Sequence, residues 1–431
     1  MLLLCLGWVL VLPLRGDDAG SDTKGKIREI RDLGKRDSQS IGALAAYLKD
    51  PSVDVRLEAV KAIVGIGTQY SLDPLVEATH DSDSEVQVRA VDGLVNFYLP
   101  GYVAKGLGSS FTRTTRLVKG FFNDRNDQVI DPGIQIRDSV AQALAGLIGG
   151  TGPLEARANA ALAAGILRAR AAVPALETAL RSKDTDLMFE SLVALQKIRD
   201  SSAGSSVAML ANDLDDKVQV TALETLGVLG SAEAAPNVRQ ALDRARNAKI
   251  RRAALESLAM MGLAQDHALF LRYSAERDPQ LRAAAIEGLG RLRDPEDTPM
   301  LDETFNEQNI DERVRLAAAF AVVAEGKVET SEFSELRYLV DGLNLRAHNS
   351  IAQAYLTELL RKPEVRQAVG TLIAEPTSTK DEKILISQSL AQSGAPDAVP
   401  VLERLSKDSN ADVSVAATKS LRVLRSRMPN N

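Results

Sequence analysis

The chain of 431 residues is nearly empty of cysteine, tryptophan and histidine: it has one Cys, one Trp and three His. Cys5 and Trp8 both fall in the apolar run Leu2–Leu14, so the rest of the chain contains neither. Without that run there is no disulfide, no thiolate metal site and no cysteine nucleophile. His80, His267 and His348 are far apart and share no metal-ligand spacing such as i, i+4, so no metal site is expected. Aromatics are only 4% of residues. The apolar mass is therefore alanine and leucine, which suits closely spaced helices rather than sheets. The glycine-containing fragments at Gly65–Gly67 and Gly106–Ser110 complete no phosphate-binding motif. A net charge of −6, spread along the chain, gives no reason to expect a nucleic-acid partner. No cofactor is implied, and no residue set reads as an active site.

Long hydrophobic runs are also missing. Leu2–Leu14 falls short of the roughly 20 residues that a membrane helix needs. Its length matches the apolar region of a signal peptide. Residues 1–22 are accordingly read as a signal peptide with a polar leader, and the protein is expected to be exported, to the periplasm or another extracytoplasmic compartment.

What the chain does contain is one helical phrase, many times over. "VDVRLEAVKAIVGIG" (Val53–Gly67), "DKVQVTALETLGVLG" (Asp216–Gly230), "AKIRRAALESLAMMG" (Ala248–Gly262) and "DPQLRAAAIEGLGRL" (Asp278–Leu292) share apolar or small anchors spaced four, four and three apart. That spacing puts the anchors on one helical face. The small anchor is followed as Ala59, Ala90, Ala158, Ser191, Ala222, Ala254, Ala285, Ala318, Ile351, Ile386 and Ala417. Apart from one double interval between Ala90 and Ala158, the steps are about 31–35 residues, the period of a stacked helical hairpin. Turns such as "KDPSVD", "HDSDSE" and "KDSNAD" divide the two helices of a unit. The predicted fold is all-α, an α-solenoid of about 11–12 stacked hairpins. An N-terminal cap and the first repeats occupy residues 23–98, further repeats occupy 133–425, and a tail follows at 426–431.

A first helix such as "AVPALETAL" or "AVPVLERLS", followed by a "VRxxAxxxLxxLG"-like second helix, resembles HEAT repeats, most closely the short type named after phycobilisome lyases. The resemblance implies a protein-interaction scaffold. Its enzymatic alternative is a bilin-lyase-like or other accessory enzyme subunit.

Arg56, Arg89, Arg282 and Arg315 recur just after an apolar anchor. They are read as a structural ladder, pairing across stacked units with turn acids such as Asp50, Asp81 and Asp278.

One interval breaks the pattern. Residues 99–132 are irregular, and Phe97, Tyr98, Tyr102, Phe111, Phe121 and Phe122 crowd around them. Between Pro100 and Phe122 there are four basic residues and no acidic one. As a packing element, Phe111, Thr115, Val118 and Phe122 would complete the stack. As a recognition element, Tyr98, Tyr102, Lys105, Phe111, Arg113, Arg116 and Lys119 would meet a protein partner. Peripheral contact with an anionic membrane is a further expectation for the same basic segment. The functional expectation is a non-enzymatic scaffold that uses the concave face and this insertion.

Overall fold

The structure is a computed structural model that describes residues 18–103, 128–131 and 133–428. Most of the leader and most of the insertion therefore lie outside the described residues, and residues 18–22 of the leader belong to the first helix. No β-strand occurs among the described residues, and the fold is an all-α solenoid. Helices α1 (Asp18–Leu33), α2 (Ile41–Ala46), α3 (Val53–Ile66), α4 (Leu72–Ala78), α5 (Ser84–Tyr98), α6 (Asp138–Gly149) and α7 (Leu154–Ile166) come first. Next are α8 (Val173–Ala179), α9 (Thr185–Ile198), α10 (Gly204–Ala208), α11 (Asp216–Leu229), α12 (Ala235–Asp243), α13 (Ala248–Met261), α14 (His267–Tyr273) and α15 (Pro279–Leu292). The series ends with α16 (Thr298–Asn306), α17 (Glu312–Glu325), α18 (Glu335–Asp341), α19 (Asn349–Leu359), α20 (Pro363–Leu372), α21 (Lys380–Ser393), α22 (Val399–Leu405) and α23 (Ala411–Arg427). After α1 they pair as eleven hairpins, α2 with α3 through to α22 with α23. The described residues form two compact units: 18–103 with 137–163, and 128–136 with 164–428.

Most second helices start at an Asp or Asn whose side chain accepts backbone N–H groups of the first turn. Asp83, Asp215, Asn247, Asp278, Asp311 and Asn410 all do so. This satisfies donors that a helix start would otherwise orphan. Helix ends at Gly67, Gly230, Gly262 and Gly394 are left-handed, the conformation glycine enters without penalty. Between those ends the small anchors Ala59, Ala90, Ala222, Ala254, Ala285, Ala318 and Ala417 are fully buried. Two anchors move from their predicted places. Ala158 and Ile351 are half-buried, and Ala160 and Ala352 occupy the core instead. A reading by period alone drifts by one or two residues wherever a unit is longer than its neighbours.

Small residues also set how closely successive second helices cross. A Cβ added at Gly165 would meet Ala194 Cα at 2.8 Å, one at Gly227 would meet Ser257 Cα at 3.0 Å, and one at Gly290 would meet Ala321 Cα at 2.5 Å. Each glycine lies five residues past its unit's buried anchor, so this is one contact repeated.

The predicted arginine ladder is of mixed character. Arg56 forks onto Asp81 (Nε–Oδ2 2.7 Å, Nη2–Oδ1 2.9 Å) and also donates to the Asp50 carbonyl at 2.9 Å. Arg282 pairs with Glu307 at 2.6 Å and donates to Ser274 O at 3.0 Å. Arg315 donates to Glu307 O at 2.8 Å and has no acid partner among the described residues. Arg89 departs from the ladder: its acid is Glu85 on its own helix, at 3.4 Å. Asp278 pairs with Arg252, and Asp50 with Lys26. The common element is a donor in the first turn of the second helix that reaches the carbonyls at the end of the first. Gln87 to Asp81 O, Gln219 to Ala211 O and Ser414 to Ser406 O do the same work without charge. The recurrent arginine is first a helix-end cap.

Two stability predictions follow from this packing. Alanine is intrinsically favoured over glycine in a helix by about 1 kcal/mol, but overpacking costs about 1–3 kcal/mol. Gly290→Ala should therefore lower stability by about 1–2 kcal/mol, and Gly227→Ala by less, as read from urea midpoints. Arg56→Ala strands the buried Asp81 carboxylate and should cost about 3 kcal/mol. Arg89→Ala should change the same midpoint by less than about 0.5 kcal/mol.

Candidate functional site

In the first unit, α5 stops at Tyr98 because the Asn96 side chain turns the chain back, accepting Gly101 N–H at 3.2 Å and Val103 N–H at 2.9 Å. Gly101 supplies the left-handed conformation this requires, with φ 95°. Tyr98 is buried, edge-on to Phe97 with ring centroids 4.9 Å apart. Its hydroxyl accepts the Arg137 backbone N–H at 3.0 Å, just before α6. The chain thus leaves at Tyr98 and returns at Arg137 to the same spot. Arg137 is held there a second time by Asp73, at 2.7 Å. Display of Tyr98 to a partner gives way to this role: the side chain is packed and its oxygen is committed. Tyr102 is half-buried. Lys105, Phe111, Arg113, Arg116 and Lys119 lie outside the described residues.

The second unit carries the more developed site, on the layer of second helices. Glu224 on α11, Glu256 on α13 and Glu287 on α15 each lie two residues past a buried alanine anchor, Ala222, Ala254 and Ala285. Their carboxylates are therefore in register across three helices. Glu224 and Glu256 reach solvent, and neither makes an ion pair among the described residues. Both are exposed, and the protein flanking each carboxylate desolvates it only in part. Burial raises the Glu224 pKa. Burial first, and then the charges of Glu287 and Glu224, push Glu256 up to about 7.

The row ends at an aromatic and arginine cluster. At the next register position α17 carries Phe320, which is buried and stacked on Tyr355 of α19 at 4.6 Å. The Arg291 guanidinium lies 5.2 Å from the Phe320 ring. It pairs with Glu287 on its own helix and with Glu358 of α19 at 2.8 Å. Tyr355 donates to Glu287 at 2.8 Å. Burial works to lower the Arg291 pKa, but Glu287 and Glu358 outweigh it and the net shift is upward. Helices two hairpins apart thus meet side chain to side chain on this face, which places the second helices on the inside of the bend at α15–α19. Arg291 offsets one of the two carboxylate charges beside it, whereas Glu224 and Glu256 have no cation paired with them among the described residues. This arrangement can attract and orient cations, and it holds no nucleophile paired with a base.

His267 bonds Asp297 at 2.9 Å and is not near another histidine. Among the described residues no group of three or more His, Cys, Asp or Glu is arranged to hold a metal, and no helix is long and apolar enough to cross a membrane.

Comparison with known proteins supports the fold. Residues 19–103 and 205–277 match the family model of HEAT repeats, so the chain carries HEAT repeats in both stretches. No curated protein sequence matches the chain significantly. Among solved structures, human deoxyhypusine hydroxylase in complex with glycerol is 17% identical, covering 59% of this chain and 96% of its own, with a TM-score of 0.29. The complex of CpcE and CpcF of phycocyanin lyase from Nostoc sp. PCC7120 is 17% identical, covering 64% and 94%, with a TM-score of 0.37. A structure concerned with the interaction between cadherin and β-catenin is 15% identical, covering 95% and 99%, with a TM-score of 0.40. These are likenesses of fold alone.

The glutamate row was not singled out from the sequence. Its signal was present, since Glu recurs two residues past three consecutive anchors. Which face those positions occupy is decided only by the packing.

The raised Glu256 pKa gives a signed prediction. A carboxyl whose folded pKa exceeds its unfolded value stabilises the fold while protonated and loses that contribution as pH rises through the folded pKa. Glu256→Gln should therefore match wild type in melting temperature at pH 4 and exceed it by about 1–2 °C at pH 8. Thermal melts across that range check the sign.

Proposed function

We propose that the protein is a non-enzymatic interaction scaffold whose second-helix face binds a basic, extended segment of a protein partner. The observation that supports it is the register of Glu224, Glu256 and Glu287, with the first two carrying no ion pair among the described residues. A carboxylate that has lost water without gaining a cation is poorly stabilised. An arriving lysine or arginine recovers the missing interaction where the dielectric is lower than in bulk. Adjacent packed helices lie about 8–10 Å apart, and three residues of extended chain span about 10 Å. A segment crossing the helices with a basic residue at every third position would meet one carboxylate per helix.

The test uses a fluorescein-labelled peptide with lysine at every third position, its clustered-lysine isomer, and the full chain. Fluorescence anisotropy should show tighter binding of the spaced peptide. The Glu224→Gln, Glu256→Gln double variant should weaken binding about tenfold, equivalent to about 1.4 kcal/mol. Affinity should rise between pH 6 and pH 8, because Glu256 must ionise to take part. Equal binding of both isomers, or an unaffected double variant, would remove this reading.

A further inference from the structure

Away from the glutamate row, the second unit gathers positive charge that has no counter-charge. The segment 128–136 is stapled to the end of α7 and to α23. Ile130 N–H donates to Ile166 O at 3.0 Å, Asp131 pairs with Lys419 at 3.1 Å, and a Cβ at Gly133 would lie 2.9 Å from Ser426 Oγ. The last turn of α23 is thereby set beside the turn that follows α7. The close crossing of Gly165 and Ala194 sets the turns after α7 and α9 side by side as well. Arg168 and Arg199 occupy those two turns, and Arg427 stands in the last turn of α23.

The three guanidiniums are left unmatched. Arg168 is half-buried and its Nε–H has no acceptor. Arg427 Nη1 rests on the carbonyls of Ala391 at 3.3 Å and Gln392 at 3.4 Å, which fixes the side chain without neutralising it. None of Arg168, Arg199 and Arg427 forms an ion pair among the described residues. The nearby acids are committed elsewhere: Asp131 to Lys419, and Asp200 to the Ser202 N–H at 3.1 Å and hydroxyl at 2.7 Å. Burial first, and then Arg199 and Arg427, lower the Arg168 pKa, so the three charges are close enough to repel.

The backbone adds a second observation. Arg168 and Arg199 are left-handed, with φ 49° and 58°, at turns where other units place Gly67, Gly230, Gly262, Gly326 and Gly394. That conformation disfavours any side chain. Arg293 makes the same choice alone, with φ 56°. What sets Arg168 and Arg199 apart is their convergence with Arg427.

We propose that Arg168, Arg199 and Arg427 form a binding site for a phosphate-type dianion. A guanidinium fork matches a tetrahedral oxyanion, whose several acceptor oxygens can engage more than one arginine and the stranded Nε–H together. A single carboxylate brings one charge and two oxygens to three cations, and leaves most of the repulsion in place. The dianion is either free phosphate or the phosphoryl group of a modified side chain. The site does not depend on the glutamate row.

The experiment is calorimetric titration of the full chain at pH 8 with sodium phosphate and with O-phosphoserine, each against sodium chloride at matched ionic strength. Wild type should bind at least one of the two phosphates, with no heat from chloride. Tighter phosphoserine binding assigns the site to a phosphorylated side chain, and tighter phosphate binding assigns it to the free ion. Arg168→Gln and Arg427→Gln should each weaken binding about tenfold, as loss of a charge-assisted contact does. Arg425→Gln, whose arginine pairs with Glu403, should bind as wild type does. Arg199→Gly is the sharper arm: it relieves the left-handed strain, so it should raise the melting temperature while weakening phosphate binding. A purely structural arginine would show no phosphate dependence in that variant. Phosphate heats no larger than chloride, or equal affinity in wild type and Arg427→Gln, would overturn the proposal; Arg427 is exposed in a final helical turn, so its loss leaves the fold intact.

Discussion

The second-helix layer depends on how closely its neighbours can cross. At Gly165, Gly227 and Gly290 the crossing leaves no room for a methyl group, and the buried alanine anchors keep the opposite side equally lean. Interiors packed at this density transmit displacement rather than absorbing it. The same approach lets Arg291 on α15 reach Glu358 on α19 past an intervening helix. A larger residue at these positions would push apart the carboxylates as well as the backbones.

A second constraint acts inside each hairpin. The first helices are short, and their last carbonyls would face the interior unsatisfied. A donor at the head of the second helix answers this, whether it is Arg56, Gln87, Gln219, Arg282 or Ser414. Arginine has donors to spare, so once the cap is made the remainder can fork onto an acid of the next turn, as Arg56 does with Asp81. The ion pair is therefore a consequence of capping. This explains why the position tolerates neutral residues while the carbonyl contact persists.

With the framework so uniform, chemistry is left to positions that the framework does not need. On the second unit those positions segregate by sign. Carboxylates without cations stand in a row on the inner helices, and guanidiniums without anions meet where α7, α9 and α23 end. Neither arrangement stabilises the fold: the raised Glu256 pKa and the lowered Arg168 pKa both record a charge held against its preference. Perturbed pKa values of this kind gather at binding and catalytic sites, and structural ion-pair networks also produce them.

Period and anchor chemistry were legible along the chain: spacings of four, four and three with small residues at the crossing demand stacked helical hairpins, and the fold is that. The roles of Asn96 and Gly101 in ending α5 emerged only from the structure. Burial of Tyr98 was not legible, because it depends on Arg137, which returns to it from 39 positions away. The partners of Arg89 and Asp278 were likewise beyond the reach of spacing. A repeat of about 31–35 residues offers several acids to each arginine, and side-chain reach alone decides among them. Local sequence determined most of the buried helical positions, because burial inside one element follows helical periodicity. Tertiary structure decided which charges meet. That depends on how several helices are offset from one another, a sum over contacts that no single repeat contains.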